Sequence, residues 1–189
     1  MYGNSARAPF TEDDPAVEPI SPYGASKRAA ELVAHSFHHL TGLPTTILRL
    51  FTVYGPRQRP GMAIHRFTRK VLAGESIPLF GDGATKRDYT FVSDIVDGIL
   101  ACLALGSGLA TVNLGGAHPV SLKELVELIA KVCDRPARVE HHPPQPGDVE
   151  LTCADISRAG RVLGFCPRVG LLQGLERFVH WFKEQTVAV

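Results

Sequence analysis

The feature that most limits what this chain can fold into is a helix that runs straight into an apolar strand, between residues 21 and 51. Ser21 offers a hydroxyl where a helix N-terminus needs an acceptor, and Pro22 suits the first helical position, where no N–H is required. Ala29, Leu32, Val33, Ser36 and Leu40 recur at helical spacing, and Gly42 and Pro44 close the run. Thr45 to Phe51 (TTILRLF) is short and β-branched and reads as a buried strand. A helix feeding such a strand is half of an α/β unit, so the expected class is α/β.

The rest of the chain continues the alternation. Ala63 to Leu72 reads as a helix ended by Gly74, and Ile77 to Phe80 as a short strand. Gly81-Asp82-Gly83 reads as a hairpin turn into a strand from Arg87 to Val92. Ser93 or Asp94 is expected to cap a helix through Leu105. Thr111 to Leu114 reads as a strand stopped by Gly115-Gly116, and Ser121-Leu122-Lys123-Glu124 as a capping box opening a helix to Cys133. Arg138 to His141 is a further strand, Pro143 to Gly147 a rigid loop, and 156–163 and 171–184 are final helices.

With 189 residues the chain can bury a real core in one domain or a domain and a half. Hydrophobic residues at 44%, charged residues at 21% and a mean hydropathy of +0.03 suit a globular protein and argue against disorder. Twenty Lys and Arg against 19 Asp and Glu give a charge of +1, so no nucleic-acid or anionic-membrane partner is expected. No apolar run approaches the ~20 residues of a membrane span. Arg7, Glu12, Asp13 and Asp14 stand where a signal peptide would be apolar. Cys102, Cys133, Cys153 and Cys166 form no C-x-x-C pair and read as reduced thiols, which places the protein in the cytoplasm. His35, His38 and His39 share a helix face and His141 and His142 are adjacent, but no carboxylate or Cys completes a set, so no metal is expected.

The chemistry-bearing pair is Tyr23 and Lys27, one turn apart on the first helix. A free phenol, with a pKa of ~10, is a poor base at neutral pH. A nearby ammonium favours the phenolate, and the phenol can then exchange a proton with an alcohol.

Around that pair, Ser21-Pro22-Tyr23-Gly24-Ala25-Ser26-Lys27 resembles the catalytic helix of the extended short-chain dehydrogenase/reductases, and Tyr2-Gly3-Asn4 the end of the strand before it. The resemblance continues through Leu48 to Pro56, Arg59 to Ala63, Gly81 to Gly83, Arg87-Asp88-Tyr89, Asn113-Leu114-Gly115 and Gln145 to Val149. Within the nucleotide-sugar epimerase/dehydratase family it looks most like the UDP-glucuronate 4-epimerases.

The resemblance implies a remnant of a Rossmann-like parallel sheet with the catalytic helix over 1–60, and mainly a smaller α/β UDP-sugar-binding domain over 61–189. A late strand at about 111–114 would return to the sheet. It implies 4-epimerisation through bound NAD, with Tyr23 as acid/base and Lys27 holding the nicotinamide ribose. Leu50 and Phe51 would lie against the cofactor. Thr52 would contact the diphosphate or sugar, Arg59 the uronate carboxylate and Arg87 the UDP phosphate or ribose. Pro78 and Phe80 would line the uracil pocket, and Asp148 would bond the ribose. A homodimer through helix 22–41 is implied as well. UDP-glucose 4-epimerisation, UDP-glucuronate decarboxylation, or UDP-sugar binding without catalysis are the alternatives.

Two departures from the family pattern stand out. Gly61 occupies a position where these epimerases usually carry Asp, and the chain contains no glycine-rich turn of the G-x-G-x-x-G or G-x-x-G-x-x-G type. The chain therefore reads as the C-terminal part of a longer enzyme.

Overall fold

Residues 2, 8–16, 18–106, 108–144 and 149–187 are described by a computed structural model of the chain. Helix α1 (Pro22–Thr41) begins as its sequence dictates, with the Ser21 hydroxyl accepting from the Gly24 N–H at 3.0 Å. It ends where Gly42 turns left-handed (φ 69°) and donates its N–H to the His38 carbonyl. Strand β1 (Thr45–Leu50) follows and pairs in parallel with β5 (Leu109–Leu114), Thr45 opposite Leu109 and Leu50 opposite Leu114.

Alternation along these two strands separates their faces. Leu48, Val112 and Leu114 pack with Ile95, Ala159 and Phe165 from α3 (Val92–Leu103) and α5 (Ser157–Leu163) with its following loop. A side chain at Gly98 would stand 2.9 Å from Leu114 and 3.0 Å from Phe165, so glycine there lets α3 approach the sheet. Arg49 and Asn113 alternate with these residues and are also buried.

The larger core lies elsewhere. Strand β2 (Thr52–Tyr54) pairs in parallel with β4 (Lys86–Phe91), which pairs antiparallel with β6 (Pro119–Ser121). Helices α2 (Ala63–Ala73), α4 (Leu122–Cys133) and α6 (Leu171–Val187) pack Ile64, Phe67, Leu125, Ile129, Leu175 and Phe178 around Tyr54 and Phe91. Burying each such side chain is worth about 1.5–3 kcal/mol. The third sheet is the parallel pair of β3 (Ser76–Phe80) with β7 (Arg138–His142).

Three expectations need correction. The first is the hairpin at Gly81-Asp82-Gly83, because β3 and β4 belong to different sheets. The turn spends its backbone groups on other partners. The Gly81 N–H donates to His142, while the Gly83 and Thr85 carbonyls accept from Lys123 and Leu122 at the start of α4.

The second is the cap of α3. Its N-cap is Phe91, without a side-chain cap bond, and Asp94 is buried and accepts from the Val169 N–H at 3.0 Å. The third is the run TTILRLF, which is not one strand. It breaks at Phe51, and Thr52 begins a strand of another sheet.

Candidate active site

Tyr23 lies in the first turn of α1 and is 71% exposed, so its phenol is open to solvent and to a ligand. Lys27, also exposed, places its Nζ 5.2 Å from the centre of the Tyr23 ring. The ammonium and the phenol therefore share one face of the helix, as their spacing dictates. Among the described residues, the phenol is thus open to solvent with a cation over its ring.

Leu50, 47% exposed, ends β1, and Phe51 is half-buried just beyond it. The Phe51 N–H donates to the Leu114 carbonyl, and its ring stacks near Phe10 and Tyr2 at 6.5 and 6.2 Å. Both residues stand at the carboxyl end of a parallel strand pair, the edge where α/β sheets hold ligands. Thr52 follows directly and is half-buried opposite Tyr89 of β4.

Arg87 is half-buried on β4, and its Nη1 donates to the Lys86 carbonyl at 2.9 Å. Pro78 and Phe80 sit on β3 opposite Glu140 and His142, and the Phe80 ring lies 5.5 Å from that of His142. Arg59 is exposed in the loop before α2. Asp148 and the preceding Gln145-Pro146-Gly147 lie outside the described residues.

Asp88, whose role the sequence alone did not reveal, is fully buried. Its carboxylate accepts from the backbone N–H groups of Gly116, Ala117 and Ala154 at 2.8, 3.1 and 2.8 Å. Burial pushes this carboxyl above its ordinary value, against the pull of those three donors. Asp88 thereby ties the turn after β5 to the segment at Ala154. The signal available in sequence was a charged residue inside the otherwise strand-like run Arg87-Asp88-Tyr89-Thr90-Phe91.

A second missed feature is the buried pair of Glu31 and Arg49, bonded at 2.8 and 3.0 Å. Burial disfavours the Glu31 carboxylate, but hydrogen bonds from Arg49 and Arg28 overcome this and hold its pKa below the ordinary value. Arg49 was visible as the one charge in TTILRLF.

Among the described residues no group of three or more His, Cys, Asp or Glu could hold a metal ion, and no helix is long and apolar enough to cross a membrane. The exposed Tyr23 hydroxyl and Lys27 ammonium are groups able to bond a ribose, whereas a dinucleotide pyrophosphate is held by a glycine-rich turn, which the given sequence does not contain.

Residues 1–115 match the model of the NAD dependent epimerase/dehydratase family. The UDP-glucuronate 4-epimerase of Thermodesulfobacterium geofontis is 40% identical over 177 residues, which is 93% of this chain and 54% of the relative. The crystal structure of UDP-glucuronic acid 4-epimerase from Bacillus cereus, in complex with UDP-glucuronic acid and NAD, superposes with a TM-score of 0.89 at 35% identity, covering 97% of this chain and 59% of that one. The UDP-glucose 4-epimerase of Thermotoga maritima, solved with UDP-glucose, gives a TM-score of 0.92 at 33% identity over 98% of this chain and 60% of that one. The chain spans about half the length of the curated relatives it matches. With a family model matched across more than half of its residues, this chain belongs to the NAD dependent epimerase/dehydratase family.

Proposed function

We propose that this chain is the catalytic-helix and substrate-binding part of a nucleotide-sugar 4-epimerase of the UDP-glucuronate/UDP-galacturonate type. The observation that carries the reading is the exposed Tyr23 phenol with the Lys27 ammonium 5.2 Å from its ring centre. NAD, when bound, supplies reversible hydride transfer at C4 of the sugar. Tyr23 removes the proton of the 4-hydroxyl and returns it to the inverted product. Lys27 stabilises the ionised phenol and bonds the nicotinamide ribose, while Leu50 and Phe51 flank the ring. Thr52 and Arg87 bind the diphosphate side, and Pro78 and Phe80 the uracil. Asp148 bonds the ribose. Arg59 offers its paired donors to the uronate carboxylate.

Residues 1–60 form the cofactor-side part in this reading and 61–189 mainly the substrate side, with β5 returning to pair with β1. The exposed Leu32, Val33, Phe37 and Leu40 on α1 support a homodimer through this helix. Four free cysteines suit the cytoplasm.

The test is product analysis from UDP-glucuronate. A product of unchanged mass and altered C4 stereochemistry supports 4-epimerisation, and a UDP-pentose would instead establish decarboxylation. Turnover of UDP-glucose in preference to UDP-glucuronate would assign the hexose specificity.

A second reading is a UDP-sugar-binding module without catalysis. Calorimetry separates the two. The module binds UDP and not NAD, whereas NAD retained stoichiometrically through purification would exclude it. No heat with either UDP or UDP-glucuronate would refute both.

A further inference from the structure

Helix α1 carries the proposed catalytic pair, and few of its side chains are buried by the described residues. Of its residues only Gly24 and Glu31 are buried. Leu32, Val33, Phe37 and Leu40, which could have anchored it by apolar packing, are all more than half exposed. What meets the sheet is a carboxylate. Glu31 Oε1 accepts from Arg49 Nε at 2.8 Å and Oε2 from Arg49 Nη2 at 3.0 Å, with both side chains almost entirely buried. Arg28 Nη1 reaches the same Oε2 at 2.7 Å.

On the strand side, Arg49 is itself held. Its Nη1 donates to the Tyr2 hydroxyl at 2.9 Å, and that hydroxyl donates to Asn113 Oδ1 at 2.7 Å. Asn113 Nδ2 then donates to the Phe10 carbonyl at 2.8 Å, and its backbone N–H donates to Glu12. Two parallel bonds between planar groups fix distance and orientation together, which apolar contact does not. Glu31 lies one turn from Lys27 and two from Tyr23, about 6 and 12 Å along the axis at 1.5 Å per residue. Arg49 immediately precedes Leu50 and Phe51.

We propose that Arg49 is a positioning residue, which through Glu31 sets the depth and rotation of α1 on the β1–β5 sheet and so sets where Tyr23 and Lys27 stand relative to the strand end at Leu50 and Phe51. The inference rests on the proposed role of Tyr23 and Lys27 and deepens it. A buried ion pair is a poor source of net stability compared with apolar residues of the same volume. Its use here is geometric: it selects one docking of a helix whose apolar faces would accept several.

The test measures that docking in the whole chain without ligand. Spin-labelled side chains are introduced at Ser26 on α1 and Glu127 on α4, both exposed, the labelled chain is diluted into excess unlabelled chain so that only distances within one chain are read, and the distribution is measured by double electron–electron resonance. The unmodified pair gives one narrow distribution. R49M and E31L each roughly double its width or split it, and R49K narrows it only in part. The apolar double variant E31L/R49M keeps or raises the melting temperature while its distribution stays broad. That divergence between stability and geometry is something a merely structural role would not produce. A native distribution in E31L/R49M, or in both single variants, overturns the proposal, and the double variant keeps the test decisive should R49M alone fail to fold. Because the readout needs no ligand, failure of the functional reading shows separately, as absence of heat with UDP-glucuronate.

Discussion

The two halves of this molecule are held together by different physics. Around Tyr54 and Phe91, helices α2, α4 and α6 close an apolar core on all sides, and Ile64, Leu125, Ile129, Leu175 and Phe178 are essentially inaccessible. Around β1 and β5, one sheet face is apolar, but the other meets α1 through Arg49, Glu31, Tyr2 and Asn113, and the helix leaves its own apolar residues in solvent. The first half resists deformation because every side chain has neighbours on all sides. The second is specified by a few directional bonds. The proposed catalytic pair sits on the second half and the proposed uracil-binding residues on the β3–β7 pair beside the first. Their relative placement therefore depends on the polar hub and on the links between halves.

The largest way to expose this difference is truncation. Phe178→Ala should cost about 3–5 kcal/mol in urea or thermal unfolding. Leu40→Ala, at a residue 81% exposed in the single chain, should change stability by no more than about 0.5 kcal/mol at protein concentrations too low for the proposed homodimer to form. A comparable loss from Leu40→Ala at higher concentration would show that α1 is covered in solution, as the dimer reading requires, and its stability would then depend on protein concentration.

The link between the halves is next. Asp88→Asn keeps the shape of the residue but replaces an acceptor oxygen with an NH2 group facing backbone N–H donors, so about 1–3 kcal/mol should be lost. The urea midpoint measures it. An unchanged midpoint would mean that the bonds to Gly116, Ala117 and Ala154 are made equally well by water.

Acid should separate the halves in order. The folded pKa of Glu31 is lowered, so its stabilising contribution is fully present above the ordinary carboxyl value of 4.5 and is lost as pH falls through the lower folded value. Pepsin digestion at pH values falling below the ordinary carboxyl value should therefore come to cleave within 22–41 before it reaches 122–133, with Glu31→Gln abolishing the pH dependence of that early cut. Simultaneous cleavage of both helices would contradict a separately held α1.

The smallest effect concerns Gly61, which has no atoms within 4 Å of a built Cβ and lies just before α2, a helix without a side-chain cap or an acidic first turn. Gly61→Asp should stabilise by about 0.4–1 kcal/mol, from reduced freedom of the unfolded chain and a carboxylate near the helix N-terminus. Thermal unfolding gives the sign. A loss of stability would mean that the Arg59 loop needs glycine there.

Much of this was open to inspection in the sequence. Ser21, Pro22 and Gly42 predicted both ends of α1, and the spacing of Tyr23 and Lys27 predicted their shared face. Ser121 predicted the start of α4, where its hydroxyl accepts from the Glu124 N–H. Arg49 and Asp88 stood in plain view as charges within apolar runs, but nothing local named their partners. Arg49 bonds Glu31 and Tyr2, and Asp88 bonds groups 28 and 66 residues away. The turn at Gly81-Asp82-Gly83 misled for the same reason. Its chemistry demands a reversal, and the reversal occurs, with Gly81 and Gly83 both at positive φ, yet the strands on either side find other mates.

What this sequence determined by itself is therefore what is settled within a turn or two of chain: helix ends, strand segments, and which side chains share a face. Capping bonds, left-handed glycines and the helical period act over a few residues and leave a local signature. Tertiary structure alone decided that β3 lies beside β7, that the apolar run breaks at Phe51 into two sheets, and that a carboxylate on α1 locks to a guanidinium on β1. Those choices depend on closing long loops and on which buried polar groups can satisfy one another, and that free energy belongs to the assembled molecule rather than to any segment of it.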